Sequence, residues 1–304
     1  MEFFKSNTQI QFMKQRKIAA VFSIFLFVAS LIALLMNGLN LGLDFTGGTQ
    51  IEVSYQQPIE VKTVREQLNS AGFTEASVQV YTARELAIRM GLHKELTQEM
   101  LKDKVLQVLP GATIDQINYM GPQVGKTLMT NGVLAILISL IGTMIYIALR
   151  FEYRFALSAA IALIHDPLLI LGIFAVFHLE FDLIVLAGVL TVIGYSLNDT
   201  IVVYDRVREN FRKVRKKSVE EIMDLSINQT LSRTIMTSGL TLLVVLALYL
   251  LGGEKIHNFA LALIIGIVIG TYSSIYVAGS LAIVFGLSRQ SLVPEKRPIE
   301  DALP

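Results

Sequence analysis

The chain contains no cysteine and no tryptophan, and only four histidines and seven prolines, in 304 residues. Without cysteine there can be no disulfide, thiolate metal ligand or thiol nucleophile. Four scattered histidines do not form a metal cluster, so no metal or organic cofactor is expected. Charge is also scarce. Asp, Glu, Lys and Arg make up 17% of the chain, against about 25% in a typical soluble domain. The net charge of +1 provides no field to gather nucleic acid. No residue set for hydrolysis or group transfer stands out, so the chain does not read as an enzyme. The stretch Gly121-Pro-Gln-Val-Gly125-Lys126-Thr127 only echoes a phosphate loop, because three residues separate its glycines where that loop has four.

Apolar sequence is what the chain has in abundance: 53% of residues are hydrophobic and the mean hydropathy is +0.57. Crossing ~30 Å of hydrocarbon takes about 20 apolar residues. Six runs approach or exceed that length: Ile18–Met36, Thr127–Leu149, Phe155–Phe177, Leu183–Tyr204, Thr234–Leu251 and Phe259–Leu287. The fifth is the shortest and is expected to begin a few residues earlier. The first is too long for a signal-peptide core and lacks a small-residue cleavage site, so it is expected to stay as an anchor.

Loop charges orient the spans. Lys5, Lys14, Arg16 and Lys17 precede the first, and Arg150 and Arg154 bracket the turn after the second. Arg206, Arg208, Arg212, Lys213, Arg215, Lys216 and Lys217 follow the fourth, and Arg289, Lys296 and Arg297 lie in the tail. The loop 178–182 has no Lys or Arg. By the positive-inside rule both termini are cytoplasmic, and residues 37–126 lie outside. The expected organisation is an N-terminus and first span (1–36), an external domain (37–126), a five-helix membrane bundle (127–287) with a basic cytoplasmic loop at 205–232, and a cytoplasmic tail (288–304).

The external segment reads as a folded domain. Gln50–Tyr55 alternates as a strand, and Pro58 opens a helix to about Ala71, closed by Gly72. Ser77–Thr82 and Glu85–Met90 are strand candidates. Thr97 caps a helix to about Leu109, and Thr113–Tyr119 is a last strand. The order β-α-β-β-α-β is that of a ferredoxin-like domain. The expected fold is therefore an α-helical polytopic membrane protein of six spans, with one external ferredoxin-like α+β domain between the first and second.

Two further patterns bear on packing. In the cytoplasmic loop, Ser218-Val-Glu-Glu221 has capping-box spacing and starts a helix. Val207, Phe211, Val214, Ile222 and Leu225 there form either a stripe facing the membrane surface or one side of a solvated linker. In the last span Ala262, Gly266, Gly270, Ser274, Ala278 and Ala282 are small at every fourth position. That helix-packing seam allows close backbone approach, to a neighbour in this chain or in a partner.

Asp199 stands inside the fourth run, where an ionisable group at mid-span costs about 2.5–3.5 kcal/mol on insertion scales. Such a group is kept where it is paired, wet or used. Ser196, Asn198 and Thr200 flank it, and Ser196 shares its helical face. Arg233 opens the fifth span above Thr237 and Thr241 and is the candidate cation, with a contact to Asp199 expected between consecutive spans. Asp166, in Ile164-His165-Asp166-Pro167, is either a second relay group or the anchor of a kink at Pro167. A carboxylate with hydroxyl neighbours suits H⁺ or Na⁺ as the coupling ion. The glycines of Asp44-Phe-Thr-Gly47-Gly48-Thr49 are expected to permit a tight backbone path.

Four stretches together resemble the SecD/SecF family of protein-export membrane proteins, within the resistance–nodulation–division superfamily. They are Gly42-Leu-Asp-Phe-Thr-Gly-Gly-Thr49, Gly121-Pro-Gln-Val-Gly-Lys126, Gly194-Tyr-Ser-Leu-Asn-Asp-Thr-Ile-Val-Val-Tyr-Asp-Arg-Val-Arg-Glu-Asn210 and Ser232-Arg-Thr-Ile-Met-Thr-Ser-Gly239. Phe259 to about Ala282, with Gly270-Thr-Tyr-Ser-Ser274, adds a fifth. The resemblance implies an accessory subunit of Sec export that works with SecD and uses the proton-motive force to promote late preprotein translocation. It implies a proton path through Asp199 and Arg233, with Asp166 also on the match. It further implies, as partners, the SecYEG translocon, a YidC-type insertase, a YajC-type small subunit, the unfolded preprotein and membrane lipid, in the bacterial cytoplasmic membrane. A non-conducting scaffold and half of a small-molecule exporter are the alternatives. The few scattered aromatics of the external domain, Phe45, Tyr55, Phe73, Tyr81 and Tyr119, argue against a drug cleft.

Overall fold

The computed structural model describes residues 9–91 and 98–288. It divides into two compact units. One is a sheet domain of Asn40–Ala135 with Glu180–Leu183, and the other is a helical unit made of the rest.

In the sheet domain, β1 (Asn40–Leu41) and the four-residue helix α2 (Leu43–Thr46) lead into β2 (Gly48–Tyr55). Then follow α3 (Val61–Ser70), β3 (Ser77–Val80), β4 (Glu85–Met90), α4 (Gln98–Val108) and β5 (Ala112–Met120). The sheet order is β3-β4-β2-β5, with every neighbouring pair antiparallel. This is the split β-α-β arrangement, with β4 inserted between β2 and β3. Alternation explains the buried face: Ile51 and Val53 of β2 and Leu86, Ile88 and Met90 of β4 point one way. They meet Val64 and Leu68 of α3 and Leu101 and Val105 of α4, each pair four residues apart on its helix. The strands and helices expected from alternation and capping are present, with ends shifted by up to three residues. The expected cap at Thr97 lies outside the described residues.

The tight path at the double glycine follows from its backbone. Gly47 and Gly48 have φ of 69° and 124°, and a Cβ on Gly48 would stand 2.5 Å from the Met90 carbonyl oxygen. Gly48→Ala is expected to destabilise the domain by about 1–3 kcal/mol, since both the dihedral and the contact resist a side chain. Faster cleavage of the domain by a protease, in the full chain in detergent, would report it.

Among the described residues, six helices are long and apolar enough to cross a membrane. They are α1 (Arg16–Asn37), extended at its start by the 3-10 turn Phe12–Gln15; α5 (Pro122–Arg150); α6 (Tyr153–Val176); α7 (Leu183–Lys213); α8 (Val219–Leu251); and α9 (Glu254–Ser273). The last continues through a π-helical turn, Ser274–Ala278, into α10 (Gly279–Val284). A two-residue strand, β6 (Glu180–Phe181), precedes α7.

The structure revises two expectations about the helical unit. First, the fourth and fifth spans overrun their apolar stretches. α7 extends nine residues past Tyr204, and α8 begins at the Ser218 capping box, well before Thr234. Glu209 helps carry the polar end of α7 by pairing with Arg206 and Lys213, one helical turn to either side. Second, the stripe from 207 to 225 faces neither membrane nor water as a whole. Val207, Phe211 and Ile222 are buried with Met13, Phe155, Tyr204 and Met223, while Val214 and Leu225 are half-buried. The small-residue seam is buried, and at Gly266 and Gly270 its neighbour is α7 of this same chain. A Cβ on Gly266 would meet Val192 Cγ2 at 2.2 Å, and one on Gly270 would meet Ser196 Cβ at 3.0 Å. α6 runs on as one helix through Pro167.

Candidate functional site

The two membrane acids sit in different surroundings. Asp166, on α6, is 0% exposed. Its Oδ2 accepts hydrogen bonds from Ser196 Oγ of α7 and from Ser273 Oγ of α9, the latter at 2.7 Å. Its Oδ1 lies 2.9 Å from His165 Nδ1. Asp166 therefore joins three helices through side-chain hydrogen bonds. The Ser273 that it holds is the last residue before the π-helical turn, a feature that often marks functional sites. The His165 ring stacks on Phe27 of α1 with centroids 6.3 Å apart, and its Nε2 is buried with no hydrogen-bond partner among the described residues.

Asp199 is 4% exposed but much less well held. Its hydrogen-bond donor among the described residues is Ser238 Oγ of α8, at 3.5 Å, the outer limit for such a bond. Ser238 is engaged elsewhere, with Thr271 Oγ1 of α9 at 2.9 Å and with the Tyr195 hydroxyl at 3.4 Å. A buried carboxylate with one long contact is short of the donors that would stabilise its charge. A proton or a cation satisfies such a group. The two acids meet through α9, because Thr271 and Ser273 lie two residues apart on it and face different partners.

Several sequence expectations change here. Ser196, expected to support Asp199, serves Asp166. Arg233 is exposed and forms no ion pair with Asp199 among the described residues. Thr237 and Thr241 donate to carbonyls one turn back on their own helix, the usual fate of a hydroxyl inside a helix. The side chain that reaches Asp199 is Ser238, one residue on and about 100° round the helix. Thr200 donates to the Ser196 carbonyl, and Asn198 is exposed. Ser274 hydrogen-bonds within its own helix, to the Thr271 carbonyl.

Sequence reasoning missed Tyr204. It is fully buried, and its hydroxyl lies 2.7 Å from Ser158 Oγ and donates to the Ala278 carbonyl at 3.1 Å. It thereby ties α6 and α7 to the end of the π-helical turn. A tyrosine closing an apolar run, level with a serine in the preceding span, was the available signal.

Comparison with known proteins agrees with this architecture. Residues 100–288 match the model of the protein export membrane protein SecD/SecF C-terminal region, and residues 32–59 match the SecD/SecF GG motif. The protein translocase subunit SecF of Vibrio alginolyticus is 47% identical over 99% of this chain and 98% of its own length. SecF of Escherichia coli O157:H7 is 42% identical over 91% of this chain and 88% of its own. The crystal structure of SecDF, a translocon-associated membrane protein from Thermus thermophilus, superposes with a TM-score of 0.86 at 35% identity. That match covers 93% of this chain, which spans 39% of the SecDF chain. A SecDF structure in a super-membrane-facing form matches at 0.68. Six membrane-length helices, a split β-α-β domain after the first of them and full-length likeness to translocase subunits lead to one conclusion: the chain belongs to the SecD/SecF family of protein-export membrane proteins.

Proposed function

We propose that this chain works with SecD as an accessory subunit of the Sec machinery, using the proton-motive force to promote late preprotein translocation across the bacterial cytoplasmic membrane. The observation that carries the reading is Asp199, a buried carboxylate at membrane depth held by one long hydrogen bond. In this scheme Asp199 binds and releases the proton, and Arg233 belongs to the same proton path. Asp166 stays bonded to Ser196 and Ser273 and keeps α6, α7 and α9 in register while Asp199 exchanges. Both termini are cytoplasmic and the sheet domain is external, because the basic residues of 205–217 and of 14–17 then all lie inside.

The need for SecD has support in the bundle surface. Asn198 and Arg233 are exposed on helices of membrane length. Lipid would leave such groups unsatisfied, whereas a second helical half covers them. SecDF relatives match at TM-scores of 0.86 and 0.68 at the same 35% identity. A relative with a super-membrane-facing form suits a scheme in which the external domain moves. The unfolded preprotein is then handled at that domain. The SecYEG channel, a YidC-type insertase and a YajC-type small subunit complete the assembly on the family resemblance.

The test is gradient-driven completion of a translocating preprotein in vesicles containing this chain and its SecD partner. A proton ionophore should remove the stimulation, and a sodium ionophore should leave it intact. The reverse pattern makes Na⁺ the coupling ion. Stimulation that survives both ionophores makes the chain a scaffold.

A further inference from the structure

Residues 180–183 connect α6 to α7 in sequence, yet they pack as part of the sheet domain. β1 and β6 pair in parallel, with Asn40 opposite Glu180 and Leu41 opposite Phe181. The Gly42 amide donates to the Phe181 carbonyl at 2.8 Å. The approach is close enough that a Cβ on Gly42 would meet Asp182 Cβ at 2.9 Å. Asp44 Oδ2 accepts the amide hydrogen of Leu183 at 3.0 Å, satisfying one of the free donors at the start of α7. From the next-to-last position of β4, Arg89 closes the cluster. It forms an ion pair with Glu180 and donates from Nη1 to the Leu41 carbonyl at 3.2 Å.

This arrangement is not needed for the domain's own core, which is built from apolar residues of β2–β4, α3 and α4. The Arg89 and Glu180 side chains are only 17% and 15% exposed. Burial works against the guanidinium charge, and Tyr81, Asp182 and Asp44 work for it. A partly buried ion pair contributes little net stability, so it serves best to fix one register. The register fixed here is that of the loop from which α7 begins. Asp199 lies sixteen residues further along that helix, about 24 Å at 1.5 Å per residue.

We propose that Arg89 is a positioning residue that makes the outer end of α7 move with the sheet domain. A displacement of α7 produced by proton exchange at Asp199 then reaches the sheet through Glu180 and Arg89. The inference rests on the proton-driven reading above and adds the residue that transmits the motion.

The test uses vesicles holding the full chain with SecD, and compares Arg89→Gln, Glu180→Gln, Arg89→Lys and Asp199→Asn with wild type. Gradient-driven preprotein completion, gradient-driven proton passage, SecD co-purification and protease resistance of the sheet domain are read in each. Both glutamine variants should lose completion by about tenfold, the size of an ordinary coupling free energy. They should keep proton passage, SecD and protease resistance, because the gradient is still dissipated but no longer delivered. Arg89→Lys, which keeps the charge opposite Glu180, should recover part of the completion. Glu180→Gln leaves the sheet sequence intact and keeps the test sound if Arg89→Gln folds poorly. Wild-type completion in both glutamine variants overturns the inference. So does loss of proton passage and SecD together with completion, which would make the pair a fold support. Wild-type completion in Asp199→Asn overturns the proton-driven reading itself and the inference with it.

Discussion

Asp199→Asn is expected to reduce gradient-driven preprotein completion to the level of vesicles without a gradient, while leaving assembly with SecD unchanged. The substitution keeps the shape of the side chain and an oxygen for the Ser238 hydroxyl. It removes the one property the scheme uses, a proton that comes and goes. Two protonation states must favour two helix packings for work to be done, and an amide offers a single state. Folding should be little affected. The carboxylate it replaces is buried and poorly hydrogen-bonded, so neutralising it costs at most about 1 kcal/mol and relieves some desolvation. Measured side by side, completion and SecD co-purification separate the alternatives. Loss of completion with normal co-purification puts Asp199 in the motor. Equal loss of both would make it a packing residue, and loss of neither would remove it from the coupling path.

Much of the fold was legible from the chain because its governing signals are long. Six apolar runs announce six membrane helices, and alternation over four to nine residues announces the strands of the sheet. Where the signal is short, it fails. β1 and β6 are two residues each, too brief for any periodicity, and their partners lie 140 positions apart. The start of α7 could therefore not be assigned to the sheet domain from sequence. Helix ends were misjudged for a different reason. Hydropathy marks where lipid stops, whereas helical hydrogen bonding continues for as long as caps and i,i+4 ion pairs such as Glu209–Lys213 support it.

In the candidate site the acids were legible and their partners were not. A carboxylate in an apolar run is conspicuous because it is costly. Which serine reaches it depends on helix rotation and on the neighbouring helix, and 100° separates Thr237 from Ser238. Ser273 was hidden further by the π-helical turn that follows it, since a regular 3.6-residue period does not foresee an extra residue in the turn. The small-residue seam was read correctly as a close-packing surface. Its neighbour, α7, had to come from the structure.

Glycine packing gives the second large expected effect, and it falls at a glycine outside the seam. A Cβ on Gly172 of α6 would stand 2.3 Å from Ser30 Cβ and 2.7 Å from Ser30 Cα on α1. At Gly266 the obstruction is the Val192 side chain alone. A side chain can be trimmed, but a backbone atom retreats only with its whole helix. Gly266→Ala is therefore expected to lower the unfolding temperature in detergent by an overpacking cost of about 1–3 kcal/mol, and Val192→Ala should restore most of it. Gly172→Ala should cost more than that range, and Ser30→Gly should restore little, because Cα remains in the way. The damage at Gly172 should also travel. α1 is held beside α6 by Asn37 Nδ2 on the Ala175 carbonyl at 3.2 Å and by the stacking of Phe27 on His165. It meets α9 where Ser23 Oγ lies 2.9 Å from the Tyr272 hydroxyl. Moving α1 away strips the cover from His165, whose Nδ1 faces Asp166, the residue that ties α6 to α7 and α9. Gly172→Ala should therefore impair gradient-driven completion even where some protein reaches the membrane, while the repaired Gly266→Ala/Val192→Ala pair retains it. Full rescue of Gly172→Ala by Ser30→Gly would show that the side chain, and not the backbone of α1, sets the spacing of these two helices.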